Sequence, residues 1–173
     1  MRTKSLLCSV LILGALQAQN HLIVSATERY FNVVRSNLEE GADAMPADKY
    51  GFRLTDGQMT FAEWLNHSTS RNYRDCAVLR GESTPEAEKR AGTLAEKTEV
   101  SKALKDSFAY CAEALKNMTD EKAASSPEMS YAFLHVVVHN NEIYTGTLWD
   151  TCESPAFYRH LRRGARTARR GNG

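Results

Sequence analysis

Surplus charge, long apolar runs and strand-like alternation are all scarce in this 173-residue sequence. Lys plus Arg (22) almost balances Asp plus Glu (21), for a formal net charge of +1. That balance gives no general argument for nucleic acid or for a membrane surface as a partner. The one almost unbroken apolar stretch, residues 6–16, is too short to span a bilayer comfortably, where about 20 residues are wanted. No segment alternates apolar and polar residues at period two, which argues against a sheet and leaves helices as the building material. No cysteine follows the apolar stretch where lipid attachment would require one.

The beginning of the chain has the pattern of a secretory signal. Arg2 and Lys4 precede the apolar stretch, and a polar segment follows Ala18. Residues 1–18 are therefore expected to be a signal peptide cleaved between Ala18 and Gln19, with the mature protein exported to the periplasm or the extracellular space. The competing reading is an uncleaved anchor or a first buried helix. Cleavage removes Cys8 and leaves Cys76, Cys111 and Cys152. An oxidising compartment permits a disulfide. Cys76 falls near the end of one predicted helix and Cys111 in the middle of the next, so a Cys76–Cys111 bridge is expected, with Cys152 left over.

Four helices are predicted. The first opens on Ser25-Ala-Thr-Glu28, a capping-box pattern, and runs through Phe31, Val34 and Leu38 to about Gly41. An irregular connection with Met45, Pro46, Tyr50 and Phe52 follows. Thr60-Phe-Ala-Glu63 is a second capping box, which gives Glu63 a structural role. Its helix carries Phe61, Trp64, Leu65, Ser68, Asn72 and Cys76 on an inward stripe, with His67 at the edge, and fades by Gly81. The charged residues 82–98 are read as a solvated loop with a short turn begun by Thr84-Pro85. Val100, Leu104, Phe108, Cys111, Leu115 and Met118 recur at 3.6-residue spacing and define the third helix. Ser126-Pro127 supplies an N-cap and a first-position proline for the fourth, expected to reach about Leu148. These elements imply an all-α four-helix bundle over residues 19–148.

The fourth helix carries the chemistry. His135 and His139 are four residues apart and share one helix face, with Glu142 a further three residues on. Such a pair can converge on a divalent ion, although an isolated histidine on a helix packed in a core is more often a hydrogen-bonded core residue. A zincin protease would have Glu directly after the first histidine, and this chain has Val136 there. His67 is the third candidate ligand. His21, beside the cleavage region, and His160, in the basic C-terminal stretch, are not candidates.

Taken together, Met45-Pro46 with Tyr50-x-Phe52-Arg53, then Thr60-Phe61 with Leu65-x-His67, then His135-x-x-x-His139-Asn-Asn-Glu142, resemble the DinB-like superfamily, and more closely its exported bacterial branch. The resemblance covers about residues 24–148. It implies a DinB/YfiT-like four-helix bundle in which His67, His135 and His139 hold a divalent metal ion. It also implies a homodimer, although no exposed apolar stripe in the sequence argues for one independently. Assigned activities among relatives include thiol-dependent transferases and isomerases, whose small thiol is cytoplasmic, so export weakens the transfer of that activity. Many relatives have Arg-Gly-Gln after the last histidine. Glu142 in this chain is thus a candidate fourth ligand, a catalytic acid or base, or an acceptor for a ligand's N–H.

Residues 149–173 are rich in Arg and Gly, where relatives end in Tyr-Leu-Arg and a Gly-Ile-x-Pro-Pro motif. Reading from the third base of the Trp149 codon permits Gly-Tyr-Leu-Arg-Ile-Ser-Gly-Ile-Leu-Pro-Pro. The expectation is a single-nucleotide frameshift in the gene or its sequencing; the alternative is that residues 159–172 form a basic arm for nucleic acid or anionic lipid. With no aromatic residues interleaved among its charges, the arm gives little reason to expect nucleic acid. Two functions stay open. One is a metal-dependent hydrolase or transferase acting on a small molecule, with Glu142 as acid or base and Asn66 or Tyr144 near the pocket. The other is a non-catalytic metal- or ligand-binding bundle. Three imidazoles suit Zn, Ni, Fe or Cu, with Mn also admitted, and the sequence does not choose among them. No membrane association is expected after signal removal.

Overall fold

A computed structural model describes residues 21–145 of the chain. The expected signal peptide, Cys152, His160 and the 149–173 tail lie outside the described residues. Among the described residues there are six α-helices, α1 (Leu22–Ala44), α2 (Phe61–Arg80), α3 (Ala87–Ala91), α4 (Lys97–Lys116), α5 (Asp120–Ala123) and α6 (Pro127–Ile143), and one short 3-10 helix, Ala47–Lys49. No strand occurs among the described residues, and no described helix is long and apolar enough to cross a membrane.

The four long helices form the bundle. α1 packs on α4 and α6, and α2 packs on the same two, so α1 and α2 lie on opposite corners. The predicted stripe of α4 is the centre of the core: Val100, Leu104, Phe108, Cys111, Leu115 and Met118 are all buried. Phe108 meets Phe31 of α1 edge to face at 5.6 Å. Burying each such large side chain stabilises the fold by about 1.5–3 kcal/mol.

Several helix ends follow local sequence. Thr60 and Glu63 form the full capping box at the start of α2, and Gly81 ends it with φ of 68°, a left-handed conformation glycine adopts without a Cβ penalty. Ser126 Oγ accepts from the Met129 amide to start α6. The beginning of α1 departs from expectation. It starts at Leu22, Ser25 already lies inside it, and the Ser25–Glu28 box does not cap it. The first amides are instead taken by a residue far away in sequence: Asp120 accepts from Ile23 N at 3.1 Å and from Val24 N at 2.8 Å. A carboxylate at a helix N-terminus satisfies orphan donors and complements the helix dipole. Gly41 likewise lies within α1, which continues to Ala44.

The connection after α1 aims α2. Tyr50 is buried, and its hydroxyl donates to the Ala42 carbonyl at 2.7 Å while lying 2.9 Å from Ser101 Oγ. The carbonyls of Phe52 and Tyr50 accept from Phe61 N and Ala62 N, so the connection supplies acceptors to the first turn of α2. Lys97 caps the far end of α1 through the carbonyls of Asp43 and Met45. Cys76 of α2 and Cys111 of α4 form a disulfide with a Cα–Cα distance of 5.2 Å. Both α1 and α6 carry exposed apolar residues, among them Tyr30 and Val33 on α1 and Tyr131, Leu134 and Val138 on α6.

Candidate functional site

The site lies where α2 faces α6. On α2, His67, Arg71 and Asp75 follow one another at four-residue spacing, and on α6 His135 and His139 do the same. The two helices pair in opposite directions. His67 meets His139 with ring centroids 4.9 Å apart and planes at 75°, and further along α2 Asp75 meets His135. His135 and His139 stack at 4.9 Å with planes only 14° apart. All three imidazoles named from the sequence are thus brought into one cluster, and Tyr131 extends the stack by lying 4.8 Å from His135.

Below the cluster runs a buried polar layer. Ser68 donates to Asn140 Oδ1. Asn140 Nδ2 donates to Asn72 Oδ1 at 2.7 Å and to the Val136 carbonyl at 2.6 Å. Asn72 Nδ2 in turn donates to Ser107 Oγ of α4 at 3.0 Å. These groups are paired with one another in the interior, the condition under which buried polar side chains hold elements in register without a large desolvation penalty.

Two of the three rings, His67 and His139, are poised to stay uncharged at neutral pH. Burial, and then the charges of His67, His135 and Arg71, push His139 down to about 4. His67 is lowered for the same leading reason, loss of solvent, with Arg71, Arg74 and His135 adding to it. Neutral imidazoles are the form that ligates metals. His139 Nε2 is buried and has no hydrogen-bond partner. A buried nitrogen left without a partner costs free energy, and a ligand would remove that cost.

In donor type and proximity the residues fit a divalent ion. In direction they do not converge: among the described residues, no group of three or more His, Cys, Asp or Glu side chains is arranged to hold a metal ion. The reason lies in the rings. Lone pairs lie in the ring plane, so two imidazoles stacked nearly parallel direct theirs side by side. His135 Nδ1 lies 2.7 Å from Asp75 Oδ2, which leaves Nε2 as that ring's other nitrogen.

The remaining sequence candidates are spread out. Glu142 is exposed, and no hydrogen bond or ion pair joins it to the three imidazoles. Asn66 is buried and turned away, with Nδ2 donating to the Leu94 carbonyl at 2.7 Å. Tyr144 packs partly buried against the core. Asp75 and Arg71 are not among the residues the sequence singles out. Their only signal there is position, one and two turns beyond His67 on its own face.

Neither the curated proteins nor the solved structures contain a match to this chain. The family comparison is positive: residues 30–142, a span that includes the capping box of α2 and all three clustered histidines, match the family model of the DinB superfamily. With that match covering more than half of its length, on a helical bundle, the chain belongs to the DinB superfamily.

Proposed function

We propose that this protein binds one divalent metal ion through His67, His135 and His139, and that the exported protein uses it as a small-molecule hydrolase or transferase. The observation that carries the reading is the buried, partnerless Nε2 of His139 between two other imidazoles. Membership in a superfamily whose members commonly bind divalent metals supports it. The Cys76–Cys111 disulfide supports export, because such bonds persist in oxidising compartments.

Each residue's contribution follows from its surroundings. His67 and His139 are held neutral by burial and are available as donors without first losing a proton at neutral pH. The polar layer under the rings keeps α2 and α6 from sliding, so the donors stay opposite one another. A divalent ion in such a site supplies Lewis acidity toward a ligand oxygen or thiol. Glu142, exposed three residues beyond His139, is assigned to the solvent side as acid or base rather than to the ring cluster.

Metal analysis of purified protein is the test. About one equivalent of divalent metal in the wild type, lost in His139→Ala and in His135→Ala, is expected. Unchanged metal content in both variants overturns the proposal. The non-catalytic alternative is separated by cobalt substitution: an open site shows a spectrum that responds to added small anions, and a closed four-ligand site does not.

A further inference from the structure

Asp75 is an acidic side chain that the proposed ligand set does not use, yet it is almost wholly inside the protein, at 5% exposure. Buried carboxylates persist where they are paired. Both of its oxygens are engaged: Oδ1 accepts from Arg71 Nη2 at 3.1 Å, and Oδ2 lies 2.7 Å from His135 Nδ1. Arg71 Nη2 is itself 3.2 Å from the same imidazole nitrogen.

These three contacts decide where the proton sits on His135. An imidazole nitrogen either carries a hydrogen or offers a lone pair. If Nδ1 offered a lone pair, it would accept from Arg71 but face Asp75 acceptor to acceptor at 2.7 Å. If Nδ1 carries the hydrogen, it makes a short charge-assisted bond to Asp75. The Arg71 contact is the longer of the two, and Arg71 is already bonded to the carboxylate. The second arrangement is favoured, and in the neutral ring it leaves Nε2 as the nitrogen with the lone pair.

We propose that Asp75 is the positioning residue of the histidine cluster: by accepting the Nδ1 proton of His135 it fixes that ring's tautomer and orientation, so that Nε2 is the atom offered to the metal. Arg71 completes the device by holding the carboxylate through its other oxygen. The helix places these groups without further machinery. Residues 67, 71 and 75 stand on one face of α2 at four-residue steps, and α6 runs antiparallel to it with His139 and His135 at a matching step. An imidazole that ligates a metal generally donates its other N–H to such an acceptor, and loss of the acceptor typically lowers metal affinity about 10–100-fold. The inference rests on the metal reading of this site, but its core statement concerns the proton on His135 and holds for the metal-free protein.

Two measurements on the full chain test it. The first is the nitrogen-15 NMR spectrum of His135 in the metal-free wild type and in Asp75→Asn, with His135→Ala giving the assignment. The wild type is expected to show the Nδ1–H tautomer alone, and Asp75→Asn a mixture; an Nε2–H tautomer in the wild type overturns the inference, whatever the variant does. The second is zinc titration of the wild type, Asp75→Asn and His135→Ala, each checked by circular dichroism. Zinc affinity is expected to fall about 10–100-fold in Asp75→Asn and to vanish in His135→Ala. Loss in His135→Ala with wild-type affinity in Asp75→Asn overturns the role of Asp75 and leaves the metal site standing. Equal affinity in all three overturns the metal site, and the tautomer then decides the positioning role alone. If Asp75→Asn does not fold, the wild-type spectrum still decides which nitrogen carries the proton.

Discussion

Ser68 donates its hydroxyl to the side-chain oxygen of Asn140, and these residues directly follow His67 and His139 in the sequence. The bond ties the two helices together one residue away from each ring, so the facing of the imidazoles is specified by a buried polar contact. Asn140 also serves Asn72, which reaches Ser107 of α4, so one amide links three helices.

Removing that amide should be costly. Asn140→Ala leaves Ser68 without its acceptor and Asn72 Oδ1 without its donor, each a buried group worth about 1–3 kcal/mol when orphaned. A loss of about 2–4 kcal/mol in urea-induced unfolding is expected. A change below about 0.5 kcal/mol, the range of an ordinary surface substitution, would show that the layer is not structural.

The metal-free protein should lose stability on mild acidification. His139 is held near 4 in the fold against an ordinary value of 6.5, so between those values the unfolded chain binds a proton that the folded chain refuses. Stability from this group is complete above pH 6.5 and declines as pH falls toward 4. Its size is about 2–3 kcal/mol after allowance for partial exposure. His67, shifted the same way, adds to the slope. Chemical denaturation across this window measures it, and His139→Gln should flatten the curve; an unchanged slope in that variant would assign the effect to other groups.

Breaking the Cys76–Cys111 bridge should destabilise the bundle without dismantling the site. The closed loop spans 35 residues, for which the chain-entropy argument gives about 3–4 kcal/mol. The double variant Cys76→Ala/Cys111→Ala is expected to melt well below the wild type yet keep its metal stoichiometry at low temperature. Loss of metal together with loss of the bridge would mean that the disulfide shapes the site directly.

Asp120 and Glu142 give opposite expectations for two acidic residues. Asp120→Ala removes both acceptors at the start of α1 and should cost about 1–2 kcal/mol, with reduced helical signal. Glu142→Gln should leave stability and metal content at wild-type levels, since its carboxylate is exposed and apart from the rings. Metal loss in Glu142→Gln would place it among the ligands after all.

Much of this architecture can be read from local patterns. The α4 stripe, the Thr60–Glu63 box, the Ser126-Pro127 start and the pairing of Cys76 with Cys111 depend on residues close in sequence or on whole-helix periodicity. The clustering of His67 with His135 and His139 follows from the family resemblance and the i, i+4 rule together. What escapes depends on distant partners. Ser25 and Glu28 form a plausible cap, but Asp120, about a hundred residues away, takes the first amides and lets α1 begin earlier. Asp75 beside Arg71 looks like an ordinary i, i+4 surface pair, and only the packing of α6 turns it inward to His135. The exposed apolar residues on α1 and α6 escape for a related reason: periodicity identifies an apolar face but not which one the fold leaves uncovered.

The disulfide has a further consequence for the histidine cluster. It fastens α2 to α4 covalently, making one stiff wall that carries His67, Arg71 and Asp75. No such fastening reaches α6 among the described residues; hydrogen bonds and packing alone keep His135 and His139 opposite that wall. Any adjustment by which the stacked rings accommodate a guest therefore falls to the side chains of α6, turning against a fixed counterpart.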